Sequence, residues 1–127
     1  MSNIAIMDDN EYVIVVSELS GVLVRVSNGK QIIGIFKSRI KEADEIPEED
    51  LLRIAKATKD RLFEIMKFYR DKYQESPQWT YMIEKNCINK AIQSKEHCDL
   101  ISYKNLLADR VQKAAVAITK FELAHGE

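Results

Sequence analysis

The sequence predicts an α+β fold: an N-terminal antiparallel β-meander of three or four strands over about residues 3–37, then three α-helices, two of them long. Three observations predict it. β-Branched residues dominate short runs near the N-terminus, with turn residues between them. Asn28-Gly29 separates two of those runs. From Pro47 onward, apolar residues return at helical spacing.

The first run, residues 3–7 (Asn-Ile-Ala-Ile-Met), ends at Asp8-Asp9-Asn10-Glu11, and the second, residues 12–17, ends at Glu18-Leu19-Ser20-Gly21. Residues 22–27 and 30–37 form the third and fourth. Asn-Gly between β-rich runs favours a type I′ turn, because both central residues need positive φ. A two-residue turn pairs Val26 with Gln31, Val24 with Ile33 and Val22 with Ile35, which gathers apolar side chains on one face. The outer runs, residues 3–7 or 30–37, are then edges open to strand addition. A helical alternative exists for this stretch. Tyr12, Val15, Val16, Leu19, Val22, Leu23 and Val26 make one stripe, and Ile32, Ile33, Phe36, Ile40 and Ala43 a second, giving an all-α five-helix bundle. Strand propensity, turn chemistry and strand spacing agree on the meander, and Gly21 and Gly34 weaken the helices.

Pro47 suits a first helical position, and Glu48, Glu49 and Asp50 then lie against the positive end of the helix dipole. The stripe Leu51, Leu52, Ala55, Leu62, Ile65, Met66, Tyr69 and Tyr73 continues to the end of that helix. Ser76-Pro77 marks a stop and a restart. The next segment, residues 77–95, is less regular, with Tyr81, Ile88, Ala91 and Ile92 on one side. Asp99 is placed to cap the last helix, whose stripe is Leu107, Val111, Ala114, Ile118 and Phe121. The first and last helices are each about 40 Å long at 1.5 Å per residue. Phe63 and Phe68 fall outside the first stripe, so that helix has a broad apolar surface to cover.

The 127 residues and 14.7 kDa read as a single domain, 1–127, with 46% hydrophobic and 31% charged residues. Nineteen basic and twenty acidic residues give a net charge of −1. That balance argues against a protein that coats polyanions or a basic membrane-surface protein. The longest apolar runs, residues 12–16 and 114–118, are too short to span a bilayer, and the first residues lack a signal-peptide pattern. The only cysteines, Cys87 and Cys98, match no metal or redox spacing, and no Asn-x-Ser/Thr acceptor occurs. A reducing, cytoplasmic location is the expectation.

Catalytic and cofactor signatures are scarce. Glycines at 21, 29, 34 and 126 build no Gly-x-Gly-x-x-Gly loop, and Gly29-Lys30 lacks the rest of a P-loop. No Gly-x-Ser-x-Gly, His-Glu-x-x-His or Cys-x-x-Cys occurs. His97-Cys98-Asp99 offers a thiol beside an imidazole. Neighbouring side chains rarely aim at one another, however, and Asp99 has the simpler role of cap. His125, two residues from the end, is expected to lack order. Glu42, Asp44, Glu45, Glu48, Glu49 and Asp50 lack the alternation and glycine of a calcium loop and read as a solvated turn leading into a helix. No catalytic, cofactor-binding or metal residue is therefore assigned, and no cofactor is expected.

Two surfaces remain. Tyr69, Tyr73, Trp79 and Tyr81 surround the Ser76-Pro77 joint, and with Phe63 and Phe68 they supply aromatic anchors of the kind that dominate protein interfaces. Arg53, Lys56, Lys59, Lys67 and Arg70 can share one helix face beside them, which suits a nucleotide or single-stranded nucleic acid. Residues 47–75 hold seven basic and seven acidic residues, so the segment has no net charge and no strong electrostatic footprint. The first expectation is a non-enzymatic protein-binding or regulatory domain of the adaptor, inhibitor or immunity type. It self-associates as a dimer through its long helices, with Phe63, Phe68, Tyr69, Tyr73 and Trp79 at the interface. The alternative is a nucleotide or nucleic-acid binder using the basic and aromatic face of residues 67–79. No membrane partner is expected.

Overall fold

A computed structural model describes residues 3–74 and 78–125. Five strands come first: β1 (Ile4–Met7), β2 (Tyr12–Glu18), β3 (Leu23–Ser27), β4 (Ile32–Phe36) and β5 (Ile40–Glu42). Three helices follow: α1 (Glu48–Tyr73), α2 (Trp79–Gln93) and α3 (Leu100–His125). The class is α+β, and α1 and α3 each have 26 residues. Residues 12–28 are not helical, so the five-helix alternative falls.

The sheet is antiparallel in the order β4-β3-β2-β1-β5. One 3₁₀ turn, Lys37–Arg39, carries the chain from the β4 edge to the β5 edge. Four residues reach at most about 14 Å, whereas the edges of a flat five-stranded sheet lie about 19 Å apart. The sheet therefore curls on itself. Ala5, Val13, Val24, Val26 and Ile35 fill the inside of the curl. Ile4 and Ile14 face the opposite way and join the core formed by the helices. β1 lies inside the sheet rather than at its edge, because β5 pairs with it (Ile6 opposite Lys41). The sequence gives no hint of β5: Ile-Lys-Glu becomes a strand only because β1 offers a free side.

The hairpin register differs from that expected of a two-residue turn. Val26 lies opposite Ile33 and Val24 opposite Ile35, which leaves a four-residue loop, residues 28–31. Side-chain hydrogen bonds fix that longer loop. The Lys30 and Gln31 N–H groups both donate to Asn28 Oδ1 (2.9 Å each), and the Gly29 N–H donates to Ser27 Oγ (3.1 Å). A shift of two residues keeps every side chain on its face, so the core pattern survives. In β2 the register slips between Val15 and Ser17. The Val16 carbonyl at this bulge accepts from Gln112 Nε2 of α3 (3.4 Å).

α1 and α3 run parallel, with α2 antiparallel to both. Glu48, at the start of α1, pairs with Lys95 just ahead of α3, and Phe68 meets Phe121 at the far end. α1 buries Leu51, Ile54, Ala55, Thr58, Leu62 and Ile65; Leu52, Met66 and Tyr69 of the expected stripe are only half-buried, and Tyr73 is exposed. All five stripe residues expected of α3 are buried. Asp99 caps it: the Ser102 N–H donates to Asp99 Oδ1 (2.8 Å) and the Ser102 hydroxyl to Oδ2 (2.9 Å). The stop and restart expected at Ser76-Pro77 lie outside the described residues. Among the described residues no helix is long and apolar enough to cross a membrane.

Candidate interaction site at the aromatic end

The last turns of α1 and α3 and the first turn of α2 bring aromatic side chains together. Spacing of i, i+4 places Tyr69 and Tyr73 on one face of α1, and Phe121 and His125 on one face of α3. Phe68 packs edge-on against Tyr69, Tyr73 and Phe121, with ring centroids 5.7, 5.8 and 5.3 Å apart. Tyr69 stacks on Tyr81 at 6.1 Å. The Tyr69 hydroxyl and His125 Nε2 are 3.2 Å apart, within hydrogen-bonding distance. His125 is thus held within the cluster, contrary to the expectation for a residue so near the end. The apolar rings around it explain why: Phe121 lies 4.4 Å away and Phe68 5.3 Å. Lys72 Nζ sits 5.2 Å from the Phe68 ring, and the Arg61 guanidinium 5.9 Å from Phe121.

The expected anchors divide into two sets. Phe68 and Tyr69 are half-buried and act as scaffold. Phe63, Tyr73 and Trp79 face solvent at 52%, 45% and 74% exposure. Next to the Tyr69–Tyr81 stack a groove of about 490 Å³ opens between α2 and α3, lined by Tyr69, Tyr81, Glu84, Lys113 and Lys120 among others. Burial, reinforced by Tyr69, pushes the Tyr81 hydroxyl up to about 12. Glu84 Oε2 is buried there without a hydrogen-bond partner, a position that suits an incoming N–H donor. Sequence reading misses Glu84, Lys113, Phe121 and His125 as parts of this site. Only the i, i+4 pairing of Phe121 with His125 is a local signal for it.

The basic stripe is exposed apart from Lys59, which is half-buried. Arg53 is bound to Asp50 (2.8 Å) and Arg70 contacts Asp71 (3.4 Å). His97, Cys98 and Asp99 do not converge. The Cys98 thiol donates to the Ser94 carbonyl (3.1 Å), while Asp99 is occupied by its cap, which holds its carboxyl below the usual range. The acidic stretch is spread along β5, a loop and the first turn of α1, where Asp50 meets Arg53 and Glu48 meets Lys95. Among the described residues no three His, Cys, Asp or Glu side chains are placed to hold a metal ion. Neither thiol is in a disulfide. No known protein family matches the chain, and no curated protein or solved structure shows significant similarity to it.

Proposed function

We propose that this chain is a small non-enzymatic protein-binding domain of a regulatory kind, which self-associates and engages a further protein at its aromatic end. One observation carries the second part: Trp79 and Tyr73 both face solvent, and Tyr73 packs on Phe68 of the ring cluster. Rigid aromatic side chains lose little conformational freedom on binding and are frequent hot spots. The groove adds a hydrogen-bond acceptor at Glu84 and cations at Lys113 and Lys120, a mixture that suits a polar peptide segment better than an apolar small molecule.

The test is the molar mass of the protein isolated from its own cells, by light scattering with absorbance at 260 and 280 nm. Mass beyond a multiple of 14.7 kDa, lost from a Tyr73→Ala/Trp79→Ala double variant, supports the proposal. A bare multiple that the double variant leaves unchanged overturns partner binding at this end. Excess absorbance at 260 nm transfers the assignment to a nucleotide or nucleic acid.

A further inference from the structure

Hydrogen bonds from the Asn28 N–H to the Gln31 carbonyl (3.2 Å) and from the Lys37 N–H to the Val22 carbonyl (2.9 Å) bracket the ladder between β3 and β4. With Val24 opposite Ile35 and Val26 opposite Ile33, antiparallel alternation makes residues 33, 35 and 37 the ones that bond to β3. Ile32, Gly34 and Phe36 therefore turn their N–H and C=O groups outward, and β4 is the last strand on that side. The sequence Ile-Ile-Gly-Ile-Phe contains neither the charge nor the proline that commonly guards an edge. Phe36 is 56% exposed, and the nearby Leu19 and Val22 are also uncovered.

We propose that β4 is a dimerisation edge, to which a second copy of this chain adds its own β4, antiparallel, about a twofold axis through Gly34. This rests on the self-association in the proposed function and places it on the sheet rather than on the long helices. The edge is complementary to itself. With Gly34 facing Gly34, Ile32 faces Phe36 of the twofold mate, and every outward N–H meets an outward carbonyl. Such a contact closes on itself as a dimer. Gly34, the middle residue of the strand, brings no side chain to the axis, and a Cβ there would find only Leu19 Cδ1, at 3.5 Å. The pairs formed, Ile with Phe and Ile33 with Ile35, are the β-branched and aromatic pairs that stabilise sheets. At the strand ends Lys37 faces Gln31, so no like charges oppose each other.

Space is available as well. An open groove of about 430 Å³ lies between Ile32 and Ile33 on one side and Arg61, Glu64 and Glu122 on the other. The other edge, β5, is three residues long, and its Ile40 N–H is already bonded to the Lys37 carbonyl. Pairing of β4 with β5, which builds rings or filaments, therefore has less to hold it.

Light scattering on the purified full chain tests this. The expected mass is twice 14.7 kDa for the unaltered protein and for Phe63→Lys, and half of that for Phe36→Lys, with circular dichroism unchanged. In a Cys87→Ser/Cys98→Ser background, Gly34→Cys should cross-link on mild oxidation. Hydrogen-bonded pairs place Cα atoms about 5.5 Å apart, which a disulfide spans. Ser38→Cys should not cross-link. The cross-linking result decides if Phe36→Lys fails to fold. An unaltered protein that is monomeric overturns self-association and the edge together. A dimer that survives Phe36→Lys and leaves Gly34→Cys unlinked overturns the edge alone, and loss of that dimer in Phe63→Lys returns it to the helices. A higher multiple overturns the twofold arrangement.

Discussion

Gly29 lies so close to α1 that a Cβ on it would sit 2.8 Å from the carbonyl oxygen of Ile54. The glycine also holds φ at +95°, where a side chain is strained whatever the space. Both demands fall on one residue, because the β3–β4 loop is where the sheet docks on the first long helix. Gly29→Ala should cost about 2–3 kcal/mol of folding stability, read as a lower urea midpoint. Gly21→Ala, at a site with nothing within 4 Å, should change it by less than about 0.5 kcal/mol. Equal effects would mean that the loop is not docked.

Phe121 is 2% exposed and touches Phe68, Tyr69, Tyr81 and His125. It is the keystone of the aromatic end. Truncation to alanine should cost about 3–5 kcal/mol. Tyr69→Phe keeps the ring and removes only the hydroxyl, with its contacts to His125 and Tyr81, at a cost of about 1 kcal/mol. Thermal melting of the two variants checks the ratio, and comparable losses would place the stabilisation in the hydrogen bond rather than the rings.

The division into strands and helices was legible because β-branched runs and helical stripes are local signals. So was the Asp99 cap, since the residue bonds to its own helix. What lay hidden depends on residues distant in sequence. β5 exists because β1 has an open side, and the hairpin lengthened because Ser27 and Asn28 capture N–H groups that an Asn-Gly turn leaves free. His125 differs from expectation for a related reason: nearness to the chain end is a sequence property, whereas its place in the cluster comes from Phe121 and Tyr69. The aromatic joint stood out as a cluster, but which rings face solvent required the helix packing.

Phe63 and Phe68 look alike in sequence and differ in the structure. Phe63 is exposed, and Phe68 packs against the core and four aromatic rings. Phe63→Lys should leave the melting midpoint nearly unchanged, within about 0.5 kcal/mol. Phe68→Lys places a charge among rings and should cost several times more. A large loss at Phe63 would show that this side chain is covered in the protein's native assembly.

Acid should weaken the fold through Asp99 and Asp8. Hydrogen bonds from Ser102 lower the Asp99 carboxyl, and Arg39 lowers that of Asp8. A carboxyl depressed in the folded state contributes stability in full above its ordinary value of 3.8, and loses it as pH falls through the depressed value. Stability should therefore decline below about pH 3.8. Asp99→Asn, which keeps the cap acceptor, should make the decline shallower in urea titrations at pH 2–4. A slope identical to that of the unaltered chain would remove Asp99 from the acid response.

The alkaline limb has the opposite origin. Burial and the neighbouring Tyr69 hydroxyl raise Tyr81 to about 12, and burial also raises Tyr103. In the unfolded chain these phenols ionise near 10. Between pH 10 and 12 the unfolded state therefore gives up protons that the folded state keeps, and stability falls as pH rises. Absorbance at 295 nm should show a late tyrosine component that ends in unfolding. Tyr81→Phe should shrink that late component, because the phenol that Tyr69 covers is gone. If all phenols ionise together near 10 in the folded chain, the stacked Tyr69–Tyr81 pair is open to water and the aromatic end is looser than its geometry.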